Sequence, residues 1–170
     1  MKLGKEFYMQ SALTVAPALL GKRICHRTES GHILSGVITE TEIYFGENDT
    51  ACHASRGKTP RTQVMYEAGG IAYVYLCYGM HHMLNVVTGK KEHPEAVLIR
   101  GIADFPGPGK LTKALSITRT LNGVSFTDSD ILWIEDEGNT PDFLTAPRVG
   151  IDYAAPEDRN RPWRFVATNL

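Results

Sequence analysis

Apolar and polar positions alternate with a period of two through much of the chain, the pattern of strands that turn one face to a core. It predicts strands at Arg23 to Arg27, Ile33 to Tyr44, Ile71 to Cys77, Met83 to Thr88 and Ala96 to Ile102, followed by Ile131 to Ile134 and Trp163 to Ala167. Helical signals are confined to two short stretches. One is Val15 to Leu20, with Thr14 as its cap, Pro17 in its first turn and Gly21 ending it. The other is Leu111 to Ile117, opened by Gly107-Pro108-Gly109-Lys110. Many strands with few intervening helices imply an α+β class with a largely antiparallel sheet, not a doubly wound α/β fold. The acidic, turn-rich stretch from Asp128 to Pro141 reads as a surface loop interrupted by one strand. With no boundary signal, 170 residues and 42% hydrophobic content, the expectation is one domain over residues 1–170 around one core.

Within this pattern the segment Thr39 to His53 stands out. It sets two glutamates, a tyrosine and a histidine along what reads as a half-buried strand, with Glu40, Glu42 and Tyr44 on one face and Thr39, Thr41 and Ile43 on the other. Carboxylates in a β-prone run oppose local propensity, and such conflicts concentrate at functional sites. The alternative is that both are solvated charges on the wet face of an antiparallel sheet. The stretch Tyr73 to Asn85 reads as two strands joined near Tyr78-Gly79, with Tyr73 and Tyr75 sharing a face and Tyr78 at the tip. An aromatic at a hairpin tip is costly unless it meets something apolar, and an opened base step in a duplex is one such partner. Tyr73 is expected to pack over the sheet.

Composition sharpens this picture. Cys25, Cys52 and Cys77 form no Cys-x-x-Cys pair, and their odd number suits a reducing, intracellular compartment. Nowhere do about 18 apolar residues run together, so a soluble protein without membrane contact is expected. The formal net charge is -1, but between His53 and Arg119 nine Lys and Arg face four Asp and Glu, a local excess of +5 that leaves -6 for the remainder. A near-neutral total can hide a basic face suited to nucleic acid. Among its members are Arg61, Arg100, Lys110 and Arg119.

Competing chemistries find less support. His53, His81, His82, Glu42 and Cys52 lack His-Glu-x-x-His or paired-cysteine spacing, so no metal is expected. A Walker phosphate loop would need Gly where Asp104 stands and Ser or Thr where Leu111 stands. The glycines beside Lys110 keep a weaker reading, a seat for a backbone phosphate. No Ser-His-Asp order or Cys-His nucleophile context is recognisable.

Taken in order, Leu19-Leu20-Gly21-Lys22, Glu40-Thr41-Glu42-Ile43-Tyr44, Asp49, Ala51-Cys52-His53, Thr59-Pro60-Arg61, Tyr73-Val74-Tyr75 with Tyr78-Gly79, Asn85-Val86-Val87, Val97-Leu98-Ile99-Arg100, Gly107 to Leu111 and Arg148-Val149-Gly150-Ile151 resemble the alkyladenine (3-methyladenine) DNA glycosylase family over nearly the whole chain. Ile43 and Thr62 depart from that pattern, standing where Ala and Asn are usual. The resemblance implies a curved antiparallel sheet similar to the carboxy-terminal domain of methionyl-tRNA formyltransferase. It implies an enzyme acting as a monomer, without cofactor, on double-stranded DNA that contains damaged purines such as 3-methyladenine and 7-methylguanine, with hypoxanthine a further candidate. Glu42 matches the general base that activates water, and Tyr44, His53 and Tyr75 match the rings that hold an extruded base. Asn85 matches the residue that discriminates against the guanine amino group, and Arg100 a pocket arginine that positions water and phosphate. Tyr78 matches the side chain that fills the gap in the duplex, and further DNA contacts are expected from Gly79, Met80, Arg61 and Lys110. No lysine lies around Glu42, so one-step hydrolysis without strand cleavage is expected. The competing reading is a non-catalytic module of the same fold that binds DNA or tRNA.

Overall fold

A computed structural model describes residues 1–170 as a curled, mostly antiparallel sheet with four short helices on the α+β plan. In chain order these are α1 (Lys5–Tyr8), α2 (Ala12–Ala18), β1 (Arg23–Arg27), β2 (Ile33–Tyr44), β3 (Ala72–Cys77), β4 (His81–Val87), β5 (Ala96–Ile102), β6 (Phe105–Pro106), α3 (Pro108–Ala114), β7 (Leu132–Glu135), β8 (Phe143–Ala146), α4 (Pro156–Arg159) and β9 (Arg164–Ala167). Single 3-10 turns cover His53–Arg56, Gln63–Tyr66 and Arg119–Leu121. No helix is long and apolar enough to cross a membrane.

The sheet runs β3-β4-β5-β2-β1-β7, with β9 joining β2 and β8 pairing β9. The long strand β2 is its spine. Its first half pairs with β1, from Arg23 opposite Val37 to Arg27 opposite Ile33. Irregularities between Ile38 and Thr41 then bend it, as bulges do, and its second half lies between β5 and β9. Glu40, Thr41 and Glu42 therefore have neighbouring strands on both sides.

Alternation divides the sheet into two working faces. Ile43, Val74, Leu84, Val86, Val97 and Ile99 enter a core of 24 buried residues with Tyr8, Val15, Leu19 and Leu20 from the amino-terminal segment and Leu111 and Leu115 from the α3 region. The intervening Tyr44, Tyr73, Tyr75, Asn85, Leu98 and Arg100 face the opposite side, where they line a cavity. Thr41 is tied to the core side, its hydroxyl donating to the Ala16 carbonyl at 2.9 Å.

Several local expectations need correction. The first long helix starts three residues earlier than Val15 because Ser11, not Thr14, caps it, accepting from the Leu13 N–H at 3.2 Å. Pro17 consequently falls in its last turn, and the bond from the Leu19 N–H to the Val15 carbonyl continues past it. The later helix spans Pro108–Ala114 and not Leu111 to Ile117, because Pro108 occupies its first turn and Ser116, at φ 55°, breaks it. The extended segment that starts at Thr39 ends at Tyr44; His53 opens a 3-10 turn.

Candidate functional site

Glu42 is wholly buried, which rules out the solvated-charge alternative. Its Oε1 accepts from the Tyr44 hydroxyl at 3.0 Å, and its Oε2 from the Val149 N–H at 2.8 Å. The Arg100 Nε lies 3.8 Å from Glu42 and 3.4 Å from Glu40, which is also ion-paired with Arg164. Burial raises the Glu42 pKa above the ordinary carboxylate range, while Arg100, the Val149 N–H and the Tyr44 hydroxyl pull it back. The carboxylate is thus desolvated yet supplied with donors to its charged form. It does not itself line the cavity, but all three of these partners do.

That cavity measures about 460 Å³, within the range of small-molecule sites. Its aromatic walls have a definite arrangement. His53 and Tyr75 touch, with ring centroids 4.6 Å apart at 66°, and Tyr73 closes the cluster at 5.3 Å from Tyr75. Tyr44 makes no ring contact with any of them and instead carries the Arg148 guanidinium 5.2 Å from its centroid. His53, Tyr73 and Tyr75 therefore form one aromatic cluster on the lining, and Tyr44 lines the same cavity outside that cluster.

The His53 Nδ1 pairs with the Tyr73 hydroxyl at 2.8 Å. Burial, with Arg61 nearby, lowers its pKa to about 4, so the ring is neutral at physiological pH. Cys52 does not form a nucleophilic pair with it, since burial pushes the thiol up to about 11. Tyr73 has a larger part than sheet packing, because it orients His53 and belongs to the buried cluster of Cys52, Ala54, Met65 and Tyr66 beneath the cavity. Asn85 is buried on the cavity floor, its amide donating to the Tyr73 carbonyl at 3.2 Å. The Arg61 guanidinium stands 5.2 Å from the Tyr75 ring.

At the mouth, the β3–β4 hairpin turns through Tyr78 (φ 52°) and Gly79 (φ 65°), closed by a bond from the Met80 N–H to the Cys77 carbonyl at 3.0 Å. Left-handed backbone at two successive residues suits glycine and strains tyrosine. Tyr78 is 91% exposed and Met80 72%, so the tip presents two apolar side chains to solvent beside the cavity. Lys110 lies on the first turn of α3 and outside the cavity lining; its neighbour Gly109 abuts His81, with room for no side chain before the imidazole. The structure thus gathers Tyr44, His53, Tyr75, Asn85, Arg61, Arg100 and Tyr78 around one cavity, sets Glu42 behind it, and leaves Lys110 apart.

Three groups beside the cavity, Arg148, the Val149 N–H and Tyr153, were given no role by the sequence. Arg148 is fully buried and grips Asp49 through both carboxylate oxygens, at 2.6 and 3.0 Å, while donating to the Ile43 and Asp158 carbonyls. This clamp fixes the next residue, Val149, whose N–H meets Glu42. Tyr153, 68% exposed, lines the cavity and donates to the Ala51 carbonyl at 2.7 Å, joining the His53 segment to the loop after Arg148. The Asp49 and Arg148 motifs were visible as words, but no local signal pairs residues so far apart in sequence.

Residues 6–106 and 103–170 match the family model described as Methylpurine-DNA glycosylase (MPG). A Methanocella arvoryzae protein named "Putative 3-methyladenine DNA glycosylase" is 43% identical, with 98% of this chain and 92% of that protein aligned. Proteins of the same name from Psychrobacter cryohalolentis and Sodalis glossinidius are 45% and 42% identical, over 88% and 96% of this chain and 84% and 95% of theirs. The chain belongs to the methylpurine-DNA glycosylase family.

Proposed function

We propose, with membership of that family as the premise, that this chain extrudes alkylated purines from duplex DNA and hydrolyses their glycosidic bond with water activated by Glu42. The observation that carries the proposal is a buried carboxylate, held by two hydrogen bonds and an arginine, directly behind a cavity lined by Tyr44, His53 and Tyr75.

Each part of the reaction has a physical counterpart. A stacked base hides its glycosidic bond, and extrusion costs a few kcal/mol. Tyr78 and Met80, already exposed on a tight turn, offset part of that cost by entering the opened step. Alkylation at N3 or N7 leaves the purine cationic, and Tyr44 and Tyr75 hold a cationic plane more tightly than a neutral one, by about 0.5 to 2 kcal/mol per contact. A neutral His53 adds no repulsion. Asn85 at the floor disfavours the exocyclic amino group of guanine; 7-methylguanine carries that group too, and its cationic ring and weakened glycosidic bond offset the penalty. As the bond breaks, positive charge grows on the sugar, and an ionised Glu42 stabilises it while taking a proton from water. Arg100 holds that carboxylate in its charged form and orients the water.

The proposal predicts that incubation with duplex DNA carrying 7-methylguanine or 3-methyladenine releases the free purine and leaves an intact abasic strand. Tight binding to the same duplexes without release would favour the non-catalytic DNA-binding reading. Borohydride trapping of a covalent adduct would refute one-step hydrolysis.

A further inference from the structure

Beside the cavity lies a second concavity that this reaction does not use. A shallow groove of about 420 Å³ runs along the outer edge of β3, bordered by Pro60, Arg61, Leu76, Arg119 and Asn122 together with Tyr73 to Tyr75. The lining includes two guanidinium groups and no carboxylate. Neither Arg61 nor Arg119 takes part in an ion pair, whereas Arg100, Arg148 and Arg164 all do.

The backbone contributes as well. β3 is the terminal strand of the sheet, and its outward N–H groups at Ala72 and Val74 are taken by the Val124 carbonyl and the Asn122 side chain, both at 2.8–2.9 Å. The same alternation turns the Leu76 N–H to that side, into the groove. Two guanidiniums without ion-pair partners bordering the same groove as an outward backbone N–H offer a seat for an anion with several oxygens. Arg61, Tyr73, Tyr75 and Leu76 border both the groove and the cavity, so the two adjoin.

We infer that this groove seats a backbone phosphate flanking the nucleotide whose base enters the cavity, with Arg119 as its outer cation. The inference rests on the reading of the cavity as a base pocket. It assigns Arg119 a register-setting contact that is independent of base identity.

The test is the salt dependence of binding to a duplex with an abasic-site analogue, by fluorescence anisotropy over about 50 to 200 mM salt. Loss of one phosphate contact in Arg119→Gln should flatten the slope of log K against log salt by about 0.9. Arg119→Lys should keep most of the slope. Lys2→Gln serves as the control, since Lys2 bridges Glu135 of β7 at the opposite end of the strand order from β3. An unchanged slope in Arg119→Gln, or an equal loss in Lys2→Gln, would overturn the inference. Purine release by the unaltered protein is scored separately: release with an unchanged Arg119→Gln slope defeats the groove alone, and no release from any lesion duplex defeats the reading of the cavity.

Discussion

Replacing Glu42 by Gln removes one negative charge while keeping the shape of the side chain, and the structure allows its two consequences to be weighed separately. For the fold, the lost attraction to Arg100 at 3.8 Å is about 4 kcal/mol at an effective dielectric constant of ~20. Against it stands the relief of a buried charge, itself worth several kcal/mol. The amide oxygen can keep the Val149 N–H, and the amide nitrogen can turn to the Tyr44 hydroxyl, which then accepts where it had donated. Arg100 keeps Glu40 at 3.4 Å. The Tyr44 O–H and one amide N–H lose an acceptor, a cost set against the relief of a buried charge, so the net change should stay within about 1–2 kcal/mol and Tm within roughly 2–8 °C.

For the chemistry, an amide can neither accept the proton from water nor offset charge on the sugar, and a loss of about 10²–10⁴ in rate is expected. The assay is single-turnover release of 7-methylguanine at saturating protein, run beside a thermal melt and anisotropy on an abasic-analogue duplex. Collapse of release with the melt and the binding nearly unchanged is the expected result. Release within tenfold of the unaltered protein would refute Glu42 as the base. A Tm loss well beyond 8 °C would show the carboxylate to be a structural ion-pair partner first.

Three other outcomes follow from the same geometry. Tyr44→Phe removes a donor to the Glu42 carboxylate, which disfavours the charged form and moves the acid limb of the rate profile upward; a limb that stays put would mean Glu42 is not the titrating group. Asp49→Ala leaves the buried Arg148 without its counter-ion and should cost about 3–5 kcal/mol, read as a Tm fall of about 10 °C or more. His53 is held neutral in the fold down to about pH 4 but titrates near 6.5 when unfolded, so the unfolded state binds the extra proton. Stability should therefore fall as pH drops from 6.5 toward 4, by at most ~3 kcal/mol from this group, and denaturation curves of His53→Gln should lack that component.

Where a strand divides a core from a working face, the chain's alternation declares both. Arg23–Arg27, Ile33–Tyr44 and Ala96–Ile102 are observed at the bounds their patterns predict, and Glu42 with Tyr44 shares a face as period-two spacing requires. β8 is different: Phe143, Leu144 and Thr145 are all exposed, so no alternation marks it and only pairing with β9 makes it a strand. Likewise α1 and α4, at four residues each, are too short for a 3.6-residue period to register. The burial of Glu42 could not be read locally, because it depends on β5 and β9 closing on both sides of β2 and on Val149 arriving from beyond β8.

The charges around the cavity bear directly on the kind of base it suits. Two arginines line it, which at first sight opposes a cationic purine. Arg100, however, lies between Glu40 and Glu42, and Glu40 also meets Arg164, so two carboxylates and two guanidiniums form a neutral group at the floor. His53 is uncharged, and Arg61 stands over Tyr75 at the border with the outer groove, where an incoming phosphate would compensate it. Once a strand is seated, the walls left facing the base are aromatic rings without net charge. A cationic purine then gains from their π faces at no Coulomb cost, and a neutral normal base forgoes that gain while paying the same extrusion penalty. Glu40, although remote from the bond that breaks, matters for this selectivity, because without it the charge of Arg100 would be balanced by Glu42 alone and Arg164 would be left uncompensated.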